Sequence, residues 1–323
     1  MWRLDRHLPF DHWCQSVGFA WALRSPELTG RYDIVEFAEF RGEGMSYLRR
    51  RRRSPVVVRV HHPRLRTARF NQEPLTIRLR LIHRMEMATI RRADGVTAPS
   101  RAALAMVAEH LDVDRLHIAV IPNPVDTDRF RPRAEAPRRH LLFAGRLEPR
   151  KGVDVLAAAL PILRRGFPTL PVVVAGGEGR FAGFAREVRE RLRRDPRVTL
   201  LGAVGEDHLM RLYQEALCCV VPSRDENFPY VVVESMACGT PVVAARVGGI
   251  PELITDGQEG LLFETGDARG LADGVTKLVG DGSLRHEMGE AARRRVEREA
   301  AAPVVAAKTI AFYQEILGRT PKK

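Results

Sequence analysis

Cys218-Cys219-Val220-Val221-Pro222-Ser223-Arg224-Asp225-Glu226-Asn227-Phe228-Pro229-Tyr230-Val231-Val232-Val233-Glu234-Ser235-Met236-Ala237-Cys238-Gly239-Thr240-Pro241-Val242-Val243-Ala244 carries the clearest architectural signal in this chain. It opens on a continuous apolar run, 218–221, and closes on another, 241–244. Strands covered by helices on both faces read this way, without the alternation of a half-exposed sheet. Between the two runs, Pro229 fits the first turn of a helix, where a missing N–H does no harm. Val231, Val232 and Val233 prefer a strand, so local propensity opposes the helix that the flanking strands require.

The same grammar extends in both directions. Candidate strands fall at 34–37, 56–60, 95–98, 118–121, 141–144, 171–175, 198–201 and 260–263, besides the two above. Amphipathic stretches at 153–165, 181–194, 207–216 and 284–299 read as helices. Repeated strand–helix units predict an α/β protein with doubly wound parallel sheets. Pro122, Asn123, Pro124, Pro132 and Pro137 mark a linker. The expected domains are 1–133 and 134–303, with a final helix in 304–323 packing back on the first. The second half shows six candidate strands and the first half four. The first half also begins on a helix-like stretch, not on the strand and glycine-rich turn that usually open a doubly wound domain.

Composition narrows the class. At 323 residues the chain is long enough for two cores. Hydrophobic residues make up 45% and charged ones 28%, which suits a globular protein, and the net charge of +12 favours anionic partners. The four cysteines, Cys14, Cys218, Cys219 and Cys238, show no C-x-x-C spacing. They argue against a zinc site or disulfide framework and for a reducing compartment, with the later thiols packed as small hydrophobes. The apolar stretch at 17–23 is too short to span a membrane, so the expected location is the cytoplasm. An aromatic stacking platform or recognition motif for nucleic acid is missing. Ala175-Gly176-Gly177-Glu178-Gly179 is glycine-rich but is not the dinucleotide fingerprint G-x-G-x-x-G.

Two clusters carry chemistry. Glu226 and Glu234 stand eight residues apart, one in the loop before the Pro229 turn and one about a helical turn beyond it. The amides of Tyr230 and Val231 would sit at the start of that helix and point at an anion. Glu234 could accept hydrogen bonds from a ribose diol. The second cluster is Leu141-Leu142-Phe143-Ala144-Gly145-Arg146-Leu147-Glu148-Pro149-Arg150-Lys151-Gly152-Val153. Here a strand ends and a helix begins, the place where ligands sit in open α/β sheets. Arg146 and Lys151 flank the turn, and both cations suit phosphate oxygens. Paired acids with paired cations point to a sugar attached to a diphosphate.

At this point the chain resembles glycosyltransferase family four, the group 1 glycosyltransferases. The family's G-R-L-x-x-x-K-G turn is matched by Gly145 to Gly152. Its acid, seven residues, acid pattern is matched by Glu226 and Glu234, followed by Met236-Ala237-Cys238-Gly239-Thr240-Pro241. Gly248-Gly249-Ile250-Pro251-Glu252 and Gly260-Leu261-Leu262 follow the family's course, and the resemblance covers roughly 30–317.

The resemblance implies the GT-B fold, two Rossmann-like domains facing a cleft, with the N-terminal one lacking the family's first strand and glycine-rich turn. It implies retaining, metal-independent sugar transfer to a hydroxyl, with no cofactor. Carried over by position, Arg146 and Lys151 would bind the diphosphate and stabilise the leaving nucleotide. Glu226 would contact the donor sugar, and Tyr230 and Val231 would offer amides. Asn227 and Phe228 would line the same loop, Glu234 would bind ribose, and Val204 would line the base pocket. His61, ending the strand at 56–60, would orient the transferred sugar or the acceptor hydroxyl. Partners would be a nucleotide-sugar donor and a carbohydrate or lipid-linked acceptor, with nucleic acid excluded.

Two departures stand out. Asn227 and Pro229 replace the family's usual glycines, and no match to the family's first strand precedes Trp2. That keeps a second class open, a truncated nucleotide-sugar-binding remnant that binds without turnover. The arginine run at 49–53 reads either as a solvated loop or as a contact with anionic lipid.

Overall fold

The computed structural model describes residues 10–23, 31–50, 53–108, 116–134 and 136–319. The chain divides into two compact units, 1–122 with 305–323, and 123–304.

In the first unit β1 (Val35–Ala38), β2 (Val56–Arg59), β3 (Gly95–Ala98) and β4 (His117–Val120) form a parallel sheet in the order β1-β2-β3-β4. Val56, Val57 and Val58 are fully buried, as expected of a strand covered on both faces. One face packs on Met87 and Ile90 of the helix Ile77–Arg92. That helix starts at Thr76, whose Oγ1 accepts the Leu79 N–H at 3.2 Å. On the other face Val57 and Ile121 meet Val305, Phe312 and Ile316 of the helix Ala302–Arg319. Ser100 caps the short helix Arg101–Ala105, its Oγ accepting the Ala103 N–H at 3.0 Å.

In the second unit β5 (His140–Ala144), β6 (Val172–Ala175), β7 (Val198–Gly202), β8 (Ala216–Val221), β9 (Val242–Ala245) and β10 (Gly260–Phe263) form a parallel sheet in the order β10-β9-β8-β5-β6-β7. Each face carries its own core. Leu156, Leu163, Leu271 and Val275 lie in one, and Tyr213, Met236 and Ile250 in the other. Tyr230–Ala237 is a helix despite its three valines. Val232 and Val233 are fully buried in the second core, and that burial outweighs the few tenths of a kcal/mol per residue of propensity they give up.

All of the proline stretch after Pro122 belongs to the second unit, so the break lies between Pro122 and Asn123 and not at 133/134. Backbone bonds account for this. The Val125 N–H donates to the Ala300 carbonyl at 2.9 Å, and the Ala302 N–H returns to the Val125 carbonyl at 3.0 Å. The Arg293 guanidinium donates to the carbonyls of Phe130 at 2.6 Å and Thr127 at 3.0 Å. Asp126 caps its own turn, accepting from the N–H groups of Asp128 and Arg129.

Cys218, Cys219 and Cys238 are buried free thiols and Cys14 is an exposed one. Burial pushes Cys218 up to about 12, in keeping with packing and not reactivity. Of the arginine run, Arg51 and Arg52 lie outside the described residues. Arg53 is bound to the Asp94 carboxylate, which also accepts the Val56 N–H at 2.7 Å. Among the described residues, no helix is long and apolar enough to cross a membrane.

Candidate active site

Strand order locates the site of the second unit. β5 and β8 lie side by side, and sequence order runs outward in opposite directions from them. This is the topological switch point of an open parallel sheet, where loops diverge and leave a crevice. The loop after β5 carries Arg146 to Gly152 and the loop after β8 carries Pro222 to Pro229, so the two clusters read in the sequence emerge from adjacent strands.

The loops are tied to each other at several points. The Arg224 N–H donates to the Arg150 carbonyl at 2.8 Å. The Arg224 guanidinium bonds the Pro149 carbonyl at 2.6 Å and both oxygens of Asp154, at 2.8 and 2.6 Å. Arg150 Nη1 in turn donates to the Asp225 carbonyl at 2.8 Å. Two glycines permit this closeness. Gly152 has φ +66°, and a Cβ there would lie 1.8 Å from the Pro222 carbonyl oxygen. Gly248 has φ +56°, and its Cβ would lie 1.7 Å from the Glu226 carbonyl oxygen.

Glu226 is the centre of this arrangement. It is 4% exposed. Its Oε1 accepts from Lys151 Nζ at 2.5 Å and from Ser223 Oγ at 2.8 Å, and its Oε2 faces Arg150 Nη1 at 3.4 Å. Burial pushes the carboxyl up, but the Lys151 and Arg150 charges and the bonds from Lys151 and Ser223 outweigh it and hold Glu226 below the usual glutamate value. Glu226 is therefore an anion at neutral pH, suited to accept hydrogen bonds and not to donate a proton.

Arg146 behaves differently. Its side chain is 60% exposed, and one end rests on the buried Glu148 carboxylate at 2.9 Å. Exposed and tethered at one point, it can turn toward an incoming anion. Tyr230 and Val231 occupy the first two positions of their helix, where N–H groups point away from the helix body. Tyr230 is half exposed and meets the buried Phe228 edge-on, ring centroids 6.5 Å apart. Asn227 is buried in the same loop.

Glu234 lies half-buried further along the helix, its Oε2 accepting from the Tyr213 hydroxyl at 2.9 Å. Burial raises its carboxyl, the Tyr213 bond works against this, and the Glu206 charge adds to it. Val204, after β7, is partly buried against the second core. In the first unit His61 follows β2, exposed at the side chain, with its N–H donating to Glu39 Oε2 at 2.8 Å. Crowding by surrounding atoms and then the Arg59 cation lower its imidazole below the ordinary histidine value, which favours the neutral ring.

Lys151 and Glu226 are thus joined directly, a pairing that their separation of 75 residues conceals. Sequence reading also passed over Arg150, Ser223, Tyr213 and Glu148. Arg150 stands next to Lys151, and the turn Pro149–Lys151 sends the two cations to opposite oxygens of one acid. A second cation beside the motif lysine was the available signal. Tyr213 lies on the apolar face of the helix Glu206–Glu215, with Leu212 beside it, and its hydroxyl at that depth called for a partner.

Residues 124–295, more than half of the chain, match the family Glycosyl transferases group 1, and residues 3–129 match Glycosyltransferase Family 4. The chain belongs to the group 1 glycosyltransferases. A D-inositol 3-phosphate glycosyltransferase of Arthrobacter sp. is 37% identical over 225 residues, 65% of this chain but 53% of that relative. The chain therefore spans about half the length of such relatives. A glycogen synthase of Mycobacterium tuberculosis is 29% identical over 284 residues, covering 80% of this chain and 68% of its own. Among solved structures, sucrose-phosphate synthase of Thermosynechococcus elongatus superposes with a TM-score of 0.80 at 23% identity, over 94% of this chain and 78% of that one. Anabaena HepE in complex with UDP-glucose gives 0.74 at 20% identity, over 93% and 82%. These likenesses establish the GT-B fold.

Proposed function

We propose that the chain transfers a sugar from a nucleoside diphosphate sugar to a hydroxyl acceptor, with retention at the anomeric carbon. The observation that carries this reading is the Lys151–Glu226 pair at the β5/β8 switch point, beside the start of the helix Tyr230–Ala237. A pyrophosphate suits Lys151, Arg146 and the amides of Tyr230 and Val231. As the sugar–oxygen bond breaks, charge grows on the leaving diphosphate, and preorganised cations stabilise that charge without a resident metal or cofactor. Glu226, kept ionised, accepts hydrogen bonds from the donor sugar. Glu234 offers its second oxygen to the ribose diol, the first being held by Tyr213. Val204 serves the base, with Asn227 and Phe228 shaping the loop. His61 orients the transferred sugar or the acceptor hydroxyl. UDP-glucose in Anabaena HepE supports the choice of donor class. The acceptor is a carbohydrate or lipid-linked hydroxyl of the kind used in surface polysaccharide or glycolipid synthesis.

Incubation with a panel of nucleotide sugars and acceptors tests the reading. Release of nucleoside diphosphate with formation of an α-linked product from an α-linked donor supports it. Tight nucleotide binding with no turnover on any pair supports the binding remnant instead. Glu234→Ala is expected to weaken nucleotide affinity about tenfold, since it removes a charge-assisted pair of hydrogen bonds, while Glu226→Ala mainly lowers kcat. Equal losses of affinity and rate in both variants would contradict the separate roles.

The arginine run at 49–53, apart from Arg53, which is held by Asp94, suits a contact with anionic lipid, each free cation contributing about 1 kcal/mol near such a surface. Sedimentation with phosphatidylserine vesicles is expected to fall with added salt and to vanish with neutral lipid. Binding indifferent to both removes this contact.

A further inference from the structure

Two acids in the first unit have no place in the reading above. Glu39 follows β1 and Glu86 lies on the helix Ile77–Arg92, and both are fully buried. Buried carboxylates are costly unless hydrogen-bonded, so their partners show what they hold. Every one of their four oxygens accepts a backbone N–H. Glu39 Oε2 and Oε1 take those of His61 at 2.8 Å and His62 at 2.6 Å. Glu86 Oε2 and Oε1 take those of Arg64 at 3.1 Å and Arg41 at 3.2 Å.

Three of the four donors belong to one turn, the chain leaving β2 through His61, His62 and Arg64. The fourth, Arg41, has φ +55° and ψ 14°, a left-handed conformation that is strained for a residue with a Cβ. The acids therefore hold down a strained backbone as well as a turn. The Arg64 guanidinium is directed to the Glu73 carboxylate, not to Glu86. Burial raises Glu39 to about 7, and burial together with the Glu39 charge raises Glu86 to about 8. Two like acids in one core repel each other, and holding the four N–H groups is what they supply in return. An apolar pair would avoid the repulsion but would orphan four N–H groups, and a glutamine would set its own N–H₂ against one of them.

We infer that Glu39 and Glu86 are positioning residues, a pair of carboxylate clamps that fix the His61–Arg64 turn at the carboxyl end of β2 so that the His61 imidazole keeps one orientation. This rests on the role proposed for His61. The clamps set an angle that the histidine could not keep on a turn bonded only to water, and a misplacement of about 1 Å in a positioning group costs on the order of 100-fold in rate.

The test uses the full chain with Glu39→Gln and Glu86→Gln. Amide hydrogen exchange is read at His61, His62, Arg64 and Arg41, and transfer is measured alongside nucleotide affinity. At least one amide of the His61/His62 pair is expected to exchange about tenfold faster in Glu39→Gln, and one of the Arg41/Arg64 pair in Glu86→Gln. Transfer kcat is expected to fall ten- to a hundredfold, with nucleotide affinity unchanged within twofold. On a His61→Ala background Glu39→Gln should cost no further rate. Unchanged exchange at all four amides, or an undiminished further loss on the His61→Ala background, overturns the inference. Should either variant fail to fold, the other and the wild-type exchange pattern still decide: rapid exchange of these four amides in the native chain is incompatible with clamping. If no nucleotide sugar supports transfer by the wild type, the functional reading fails while the exchange arm still judges the clamps.

Discussion

Lys151→Ala should abolish most transfer activity, with kcat/KM falling about 10²- to 10³-fold, the range for removing one preorganised donor to a developing anion. It should also destabilise the second unit, because Glu226 is almost fully buried and loses its nearest cation. Breaking a buried pair from one side costs about 3–5 kcal/mol, and the remaining bonds from Ser223 and Arg150 place the expected loss toward the lower end. The two effects separate by pH. In the native chain the depressed Glu226 contributes stability that is present above the unfolded glutamate value and lost as pH falls. In Lys151→Ala, burial becomes dominant and the folded value rises, so the sign reverses and stability is lost as pH rises through it. Melting curves between pH 5 and 8 should show the gap between variant and native chain narrowing toward acid, while activity stays low throughout. A gap that widens toward acid would mean that Lys151 does not neutralise Glu226.

Gly152→Ala, like Gly248→Ala, should be among the most damaging small substitutions in the second unit. The new Cβ would stand 1.8 Å from the Pro222 carbonyl oxygen, on a residue already at φ +66°. Left-handed backbone alone costs about 1–2 kcal/mol, and relieving the clash requires the loops after β5 and β8 to part. The expected loss exceeds about 2 kcal/mol, and the nucleotide binding proposed for this crevice should be lost even in the fraction that stays folded. Gly166→Ala makes the control, since that glycine ends the same helix with nothing within 4 Å of its Cβ position. Denaturant melts of both variants check this. Equal stability would show that the loops are not packed as described.

The sheets were legible because most strands are continuous apolar runs, and inner ones such as β2, β3, β8 and β9 are buried along nearly their whole length, a signal that needs no tertiary information. The ten strands among the described residues fall within two residues of their sequence positions, from Val35–Ala38 to Gly260–Phe263. The helix Tyr230–Ala237 was harder, since its valines argue for strand and only core burial on one side explains them. Prolines misplaced the domain break, because a stretch that looks like a linker is bound to the second unit through Val125 and Arg293. At the candidate site Lys151, Glu226 and Glu234 were readable from spacing. Their partners were not, since the direction of Arg150 depends on a single tight turn and the depth of Tyr213 on packing. Glu39 and Glu86 were the least legible. A lone glutamate looks solvated in sequence, and backbone amides leave no trace there.

A pyrophosphate is expected to bind in the β5/β8 crevice of the second unit. A crystal structure of the chain grown with UDP decides this. The diphosphate should lie within hydrogen-bonding distance of Lys151 Nζ and the first amides of the helix Tyr230–Ala237, with the ribose on Glu234. A nucleotide bound elsewhere, or a diphosphate that leaves Lys151 and that helix start untouched, would contradict it.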